Sequence, residues 1–136
     1  MEAQDLTQRL ADQLASMSGE PVAHQIVENL WLAVVDGSLE TGERLPTARQ
    51  MAIALGVSPG TVERAYEQLE KRGVLATRRG EGTFVSLVLP SEDERLRHQR
   101  LAALCRETVE RSSALGFSLD ELLDALSDFR ANDSTP

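Results

Sequence analysis

The sequence predicts a mainly α-helical protein with one small β-hairpin, and three observations carry this prediction. Apolar residues recur at helical spacing through most of the chain. Between Leu45 and Gly73, two short helical patterns are separated by a glycine, Gly56. Two short β-prone runs then flank the turn sequence Arg-Gly-Glu-Gly at residues 79–82.

The first predicted helix covers residues 4–17. Its apolar side chains fall on one face and its polar side chains on the others, which is the pattern of an amphipathic helix. The apolar positions are Leu6, Leu10, Leu14 and Met17. This face needs a partner surface, either on its own domain or on a second subunit.

The second predicted helix opens at Pro21 and ends at Asp36-Gly37. We interpret Trp31 and His24 as packing residues, because nothing near them in the sequence indicates a ligand site. The helix is expected to cover the back of the two short helices that follow. Its wide apolar face consists of Val22, Ile26, Val27, Leu30, Trp31 and Val34.

A turn-rich connector, residues 38–44, leads to the first short helix. Leu39 and Leu45 are expected to point inward. Thr47 and Gln50 have the spacing of a capping box, so the helix is predicted to start at Thr47. It is predicted to stop at Gly56, which can adopt the left-handed conformation that ends many helices.

The second short helix is predicted to start at Ser58, an N-cap residue, with Pro59 at the first helical position. Gly73 ends it. Ala52 is small enough to let the two helices cross closely, and Val62 is placed to fill the angle between them. Together these features predict a helix-turn-helix.

The β-prone runs at residues 74–78 and 83–88 predict a hairpin directly after the second short helix. A helix-turn-helix followed by a β-hairpin is a winged helix-turn-helix. This arrangement places one helix in the major groove of DNA.

Residues after Pro90 predict a tail of two amphipathic helices. Capping boxes at Ser91 and Glu94 and at Ser118 and Glu121 mark their starts. We expect two copies of the tail to pair as a four-helix-like dimer, because two helices cannot bury both apolar stripes against each other. Docking of the tail onto its own winged domain is the alternative. The candidate dimerisation residues are Leu96, Leu101, Leu104, Val109, Leu119, Leu122, Leu123, Leu126 and Phe129.

These patterns divide the chain into four segments. Residues 1–18 form the N-terminal amphipathic helix and residues 19–89 the winged helix-turn-helix domain. Residues 90–131 form the two-helix dimerisation or effector region, and residues 132–136 a disordered tail.

The charge is unevenly distributed. The formal net charge of −8 divides into −6 for residues 1–46, +2 for residues 47–86 and −4 for residues 87–136. The only positive segment is the one that contains the helix-turn-helix and the hairpin. A locally basic face on an acidic body is compatible with binding to DNA phosphates and disfavours non-specific binding.

Other features limit the classes of protein. No apolar run approaches the ~20 residues needed to span a bilayer, and the N-terminus lacks the layout of a signal peptide, so a cytoplasmic protein is expected. The single cysteine, Cys105, excludes an internal disulfide and a cysteine-cluster metal site. We interpret Cys105 as a small buried hydrophobic residue, with a redox switch as the alternative.

The sequence resembles bacterial GntR-type winged-helix regulators. The resemblance runs in order and in register from Pro21 to Val85, and the short tail is similar to the YtrA-like subfamily. The matching positions are Pro21-Val22, residues 36–49 (DGSLETGERLPTAR), residues 55–58 (LGVS), Thr61-Val62, Ala65-Tyr66, Leu69, Gly73 and residues 79–85 (RGEGTFV).

The resemblance implies a homodimeric repressor that binds a palindromic double-stranded DNA operator. Members of the subfamily often govern operons for ABC-type transporters. An unidentified small-molecule effector could bind between the tail helices or at the dimer interface, and no cofactor is expected.

The resemblance also implies roles for individual residues. It makes Arg49 a DNA contact at the start of the first motif helix. It places residues 58–61 at the base-reading end of the second helix, and Arg79-Gly80 at the minor groove. With Arg64 and Arg78 as phosphate contacts, the candidate DNA-binding residues are Thr47, Arg49, Ser58, Pro59, Gly60, Thr61, Arg64, Arg78, Arg79 and Gly80.

Three positions depart from the family pattern. Ala48 stands where many members carry glutamate, and Pro59-Gly60 lacks a basic residue often found there. Glu63 is acidic where many relatives have arginine. These departures affect the expected operator sequence rather than the class of protein.

Structural roles are the alternatives for several of these residues. Arg49 could form a surface ion pair with Glu43 or Glu67, and Arg78 and Arg79 could be solvated strand-end charges. A winged helix that binds a protein partner is the alternative function, although a polar face of Ser, Gly, Thr, Glu and Arg argues against it. An enzyme is not expected, because the chain has no room for a catalytic domain beside the winged helix.

Overall fold

The computed structural model describes residues 3–16 and 21–133, and it divides into two compact units between residues 90 and 91. Within these residues there are six helices and one two-stranded antiparallel sheet, which confirms the predicted mainly α-helical fold with one hairpin. In chain order the elements are α1 (Ala3–Ser16), α2 (Val22–Val35), α3 (Ala48–Leu55), α4 (Pro59–Lys71), β1 (Leu75–Arg78), β2 (Gly82–Val85), α5 (Glu92–Ala114) and α6 (Leu119–Asp133).

The core of the first unit lies where α2 packs against α4 and α1. The apolar face predicted for α2 is buried from Ile26 to Val34, whereas Val22 at its start is 39% exposed. Trp31 is buried as predicted, and the Arg72 guanidinium lies 5.4 Å from its ring centroid. The inward positions predicted for Leu39 and Leu45 are confirmed.

Helix α1 packs against α2 and α3 of its own chain. Leu6 and Leu10 are buried there, so their partner surface is intramolecular. Arg9 donates hydrogen bonds of 2.6 Å to Ser38 Oγ and to Asp36 Oδ2, which ties α1 to the end of α2. Two further residues were predicted on this apolar face, Leu14 and Met17. The side chain of Leu14 and the whole of Met17 lie outside the part of the chain that the structure describes.

The helix-turn-helix forms as its end signals predict. Gly56 adopts φ +70° at the end of α3. Ala52 and Val62 are fully buried where α3 and α4 pack, together with Met51. The close crossing of the two helices is therefore filled by the residues that the pattern indicated.

The hairpin pairs Leu75 with Val85 and Arg78 with Gly82. Its second strand ends at Val85, so the predicted extension to Val88 was wrong. The pairing begins only at Leu75, because the chain turns at Gly73, where φ is +78°. Ser86 N still donates a hydrogen bond of 2.9 Å to Val74 O, and Leu87 and Val88 beyond it are exposed.

The second unit consists of α5 and α6, which contact each other. Helix α5 ends at Ala114 and α6 begins at Leu119, directly after the predicted cap Ser118, and Ser118 and Glu121 form a reciprocal capping box. Helix α6 extends to Asp133, two residues into the segment predicted to be disordered. The helix is not interrupted earlier, because residues 119–133 contain no glycine or proline.

Most apolar side chains of the second unit are exposed. Among residues 91–130, only Ser112 is buried. The prediction that Cys105 is buried was wrong, because the side of α5 that carries it is uncovered in this chain. Among the described residues, no helix is long and apolar enough to cross a membrane.

Candidate nucleic-acid interface

The amino end of α3 presents an exposed arginine on a fixed helix start. Thr47 Oγ1 accepts a hydrogen bond from Gln50 N at 3.1 Å, and Gln50 Oε1 accepts one from Thr47 N at 3.0 Å. This capping box satisfies two backbone donors and sets where the helix begins. Arg49, at the second helical position, is exposed.

The amino end of α4 carries a short polar network. Ser58 Oγ accepts a hydrogen bond from Thr61 N at 3.2 Å, and the two hydroxyl oxygens lie 2.7 Å apart. Arg64 Nη2 lies 3.4 Å from Thr61 Oγ1. Pro59, at the first helical position, has no N–H and Thr61 N is bonded to Ser58, so Gly60, which has no side chain, offers the backbone N–H at this end. Such a terminus can receive a phosphate or a base edge.

The hairpin turn displays two more arginines. Glu81 N donates a hydrogen bond of 2.9 Å to Arg78 O, and Gly80 adopts φ +78° between them. The Arg78 guanidinium lies 4.4 Å from the centroid of the Phe84 ring, so this aromatic side chain holds it by a cation–π contact. Arg79 and Gly80 are exposed at the tip.

The connector before α3 pairs with the wing. Leu45 N donates to Thr83 O, and Val85 N donates to Glu43 O, both at 2.8 Å. The Arg44 side chain lies over Gly82, where an added Cβ would come within 3.0 Å of Arg44 Nε. Sequence reasoning missed this role of Arg44, because no local pattern links residue 44 to a glycine in another element.

Tyr66 fixes the connector to α4. Its hydroxyl donates a hydrogen bond of 2.8 Å to Pro46 O in a buried position. Burial raises the pKa of Tyr66, so the hydroxyl stays protonated and remains a donor. Because Pro46 directly precedes the α3 cap, this bond fixes the start of α3 relative to α4.

A cleft of about 290 Å³ opens between α4, the start of α3 and the wing. Three acidic residues of α4 line it together with Arg44, and the Thr77 hydroxyl of β1 donates a hydrogen bond to Glu70. The residues that line the cleft are Arg44, Leu45, Thr47, Ala48, Glu63, Tyr66, Glu67, Glu70, Gly82 and Thr83.

Most cations of the basic segment are unpaired. Of the basic side chains in residues 47–86, only Arg72 forms an ion pair with a described residue, at 3.8 Å from Glu28. The alternative pairing of Arg49 with Glu43 or Glu67 does not form in the described chain. The basic side chains left without an ion pair there are Arg49, Arg64, Lys71, Arg78 and Arg79.

The structure gathers the ten candidate DNA-binding residues at three places in the first unit: the start of α3, the start of α4 and the wing turn. None of the ten is buried. The candidate dimerisation residues belong to the second unit, on α5 and α6, where Leu96 and Leu122 are half-buried and the others are exposed.

Comparison with protein families gives a match to the model for bacterial regulatory proteins of the gntR family, over residues 22–85. This range runs from the start of α2 to the end of β2 and contains the whole helix-turn-helix and wing.

Similarity to individual relatives extends beyond this range, in one case into the tail. The chain is 32% identical over 112 residues to the uncharacterized HTH-type transcriptional regulator YhcF of Bacillus subtilis, covering 82% of this chain and 92% of YhcF. It is 34% identical over 74 residues to the HTH-type transcriptional repressor YtrA of the same organism, covering 54% of this chain and 57% of YtrA.

Among solved structures, the chain is similar to YtrA from Sulfolobus acidocaldarius, a GntR-family transcription factor. The TM-score is 0.52 at 28% sequence identity, and the match covers 65% of this chain and 90% of that one.

Proposed function

Because the chain belongs to the gntR family of bacterial regulatory proteins and is a DNA-binding transcriptional regulator, we propose that it acts as a homodimeric repressor on a palindromic operator. The observation that carries this proposal is the set of exposed basic side chains around the amino ends of α3 and α4 and the wing turn that form no ion pair with a described residue. They lie in the only segment with a positive net charge.

In the proposed complex, the amino end of α4 enters the major groove. Residues 58–61 face base edges and phosphates, because Gly60 has no side chain over its backbone N–H and the Ser58 and Thr61 hydroxyls are not buried. Arg49 contacts DNA from the start of α3, and Arg64 and Arg78 contact phosphates. Arg79 and Gly80 reach the minor groove from the wing tip.

Dimerisation is proposed through α5 and α6. Large apolar side chains such as Leu104 and Phe129 are 59% and 68% exposed, and a stable chain rarely leaves so many of them in water. A second copy offers the same apolar stripes for a four-helix arrangement. Two winged domains would then contact half-sites about one helical turn apart, roughly 34–36 Å.

Repression is proposed because a dimer on an operator excludes other proteins from that DNA, and because one relative, YtrA of Bacillus subtilis, is named a repressor. The resemblance to the YtrA-like subfamily makes operons for ABC-type transporters the first targets to test. A small-molecule effector is proposed to bind at the tail helices.

The proposal is tested by selecting binding sites from a random-sequence DNA library and measuring affinities by fluorescence anisotropy across a salt series. Wild type is expected to enrich a palindrome, with affinity falling steeply as salt rises. Arg49→Ala is expected to reduce affinity for the selected site about tenfold or more.

Arg97→Ala is the matched control, since it removes the same charge from an exposed position on α5. It should bind like wild type. If wild type enriches no sequence even at low salt, the regulator proposal fails and a protein-binding winged helix becomes the better interpretation.

A further inference from the structure

Glu63 is the only acidic residue near the amino end of the exposed face of α4. That face carries Gly60, Glu63, Arg64, Glu67 and Lys71, which recur at helical spacing and are not buried. Glu63 follows the Ser58 cap by five residues, and the first turns of a recognition helix are the part that contacts base edges. A carboxylate at this position therefore faces the DNA in the proposed complex.

The position of Glu63 gives the helix itself no benefit. It lies beyond the first turn, where a carboxylate would be stabilised by the helix dipole. The residues four positions away are Pro59 and Glu67, so neither neighbour provides an opposite charge. Among the described residues, no ion pair or hydrogen bond to the Glu63 side chain occurs.

Glu63 also borders the parts of the fold that carry the other candidate contacts. It lines the cleft together with Thr47 and Ala48 at the start of α3 and with Gly82 and Thr83 of the wing. Arg49 follows Ala48 directly. The carboxylate thus sits between the two elements that flank α4, rather than on a remote part of the surface.

A carboxylate facing DNA is repelled by phosphates, and base edges can offset this cost only by donating hydrogen bonds. In the major groove the donors are the exocyclic amino groups of cytosine and adenine. Adenine also presents the N7 acceptor beside its amino group, which repels a second carboxylate oxygen, whereas cytosine presents only the donor. The chemistry of Glu63 therefore favours cytosine.

We propose that Glu63 accepts a hydrogen bond from the N4 amino group of a cytosine and so selects a C·G pair at one position in each half-site. This inference rests on the proposed function, because it requires α4 to lie in the major groove. It makes Glu63 a specificity-determining residue, in addition to the DNA contacts proposed for Arg49 and the wing arginines.

The test compares wild type, Glu63→Gln and Glu67→Gln by selection from a random-sequence library, followed by affinity measurements on single-base variants of the selected site. Glu67→Gln is the matched control: it makes the same change one turn further along the same face. Wild type is expected to prefer cytosine at one half-site position by about fivefold or more over each other base.

Glu63→Gln is expected to lose this cytosine preference and to gain affinity for adenine, because glutamine matches the donor and acceptor pattern of that base. All other positions of the site should stay unchanged. Glu67→Gln should keep the cytosine. Both variants remove one negative charge and should gain similar non-specific affinity, so only the sequence preference distinguishes base recognition from relief of repulsion. Equal thermal midpoints will confirm that the variants fold.

If Glu63→Gln selects the same bases as wild type, the inference is overturned while the proposed function stands. If wild type itself selects no sequence, the proposed function fails, and the role of Glu63 fails with it.

Discussion

Gly56 and Gly60 flank the turn of the helix-turn-helix and have different backbone conformations. Gly56 ends α3 in the left-handed region, with φ +70°, whereas Gly60 lies inside α4 with no positive φ. An added Cβ would meet no other atom within 4 Å at either position. The effect of replacing either glycine by alanine should therefore depend on the backbone conformation and not on steric contacts.

Gly56→Ala is expected to lower the free energy of unfolding by about 1–2 kcal/mol, because a Cβ is strained in the left-handed region. Gly60→Ala should raise it by roughly 0.5–1 kcal/mol, because alanine restricts the unfolded chain and favours helix. Urea unfolding of both variants checks the prediction. Shifts of the same sign would contradict it.

Tyr66→Phe is expected to lower the free energy of unfolding by about 1–2 kcal/mol, because it leaves Pro46 O buried without its donor. Ser127→Ala is the control. It removes a hydroxyl whose bond to Leu123 O is exposed to solvent, so water replaces it at little cost. Comparable losses in both variants, measured by urea unfolding, would argue against a special role for the buried bond.

At the scale of elements, α1 is held by two kinds of contact. Leu6 and Leu10 bury apolar surface, and Arg9 bonds to Asp36 and Ser38 at the end of α2. The Arg9 and Ser38 hydrogen bonds lower the pKa of Asp36 from 3.8 to about 2. The charged carboxylate is therefore part of the attachment of α1.

Because the folded pKa of Asp36 is lowered, its contribution to stability is present above pH 4 and is lost as the pH falls towards 2. Asp36→Asn should be less stable than wild type at pH 5, and the difference should vanish near pH 2. Urea midpoints at both pH values measure this. Asp124→Asn, on exposed α6, serves as the control. If wild type is more stable than Asp36→Asn by the same amount at both pH values, the charge of Asp36 does not hold α1 in place.

At the scale of the whole molecule, charge and apolar surface are distributed between different parts of the sequence. The basic face belongs to residues 47–86, while the exposed leucines belong to α5 and α6. In the proposed dimer, the first unit contacts DNA and the second joins two copies. Each function can then be removed without the other.

A Leu104→Glu, Leu123→Glu double variant is expected to sediment as a monomer, because four added charges per dimer would be buried in the interface. Its affinity for the full palindrome should fall by about a hundredfold or more, while single half-site affinity stays unchanged. Ile53→Glu, at an exposed apolar position on α3, is the control for oligomeric state. A monomeric wild type would refute the dimer.

The sequence by itself determined the elements whose signals act over a few residues. The Thr47 and Gln50 capping box, the Ser58 cap and the left-handed Gly56 each stabilise one local backbone conformation, so their positions were predictable. The burial of Ala52 and Val62 followed from their size and their spacing around the turn. The family resemblance added candidate roles that such local signals cannot supply.

Only the tertiary structure decided the contacts between residues far apart in the chain. Arg44 over Gly82, Tyr66 bonded to Pro46 and Arg9 bonded to Asp36 join different elements. The end of β2 at Val85 likewise depends on where its partner strand begins. Such contacts depend on the path of the chain in space, because the free energy of a long-range contact belongs to the packed arrangement and not to either segment alone.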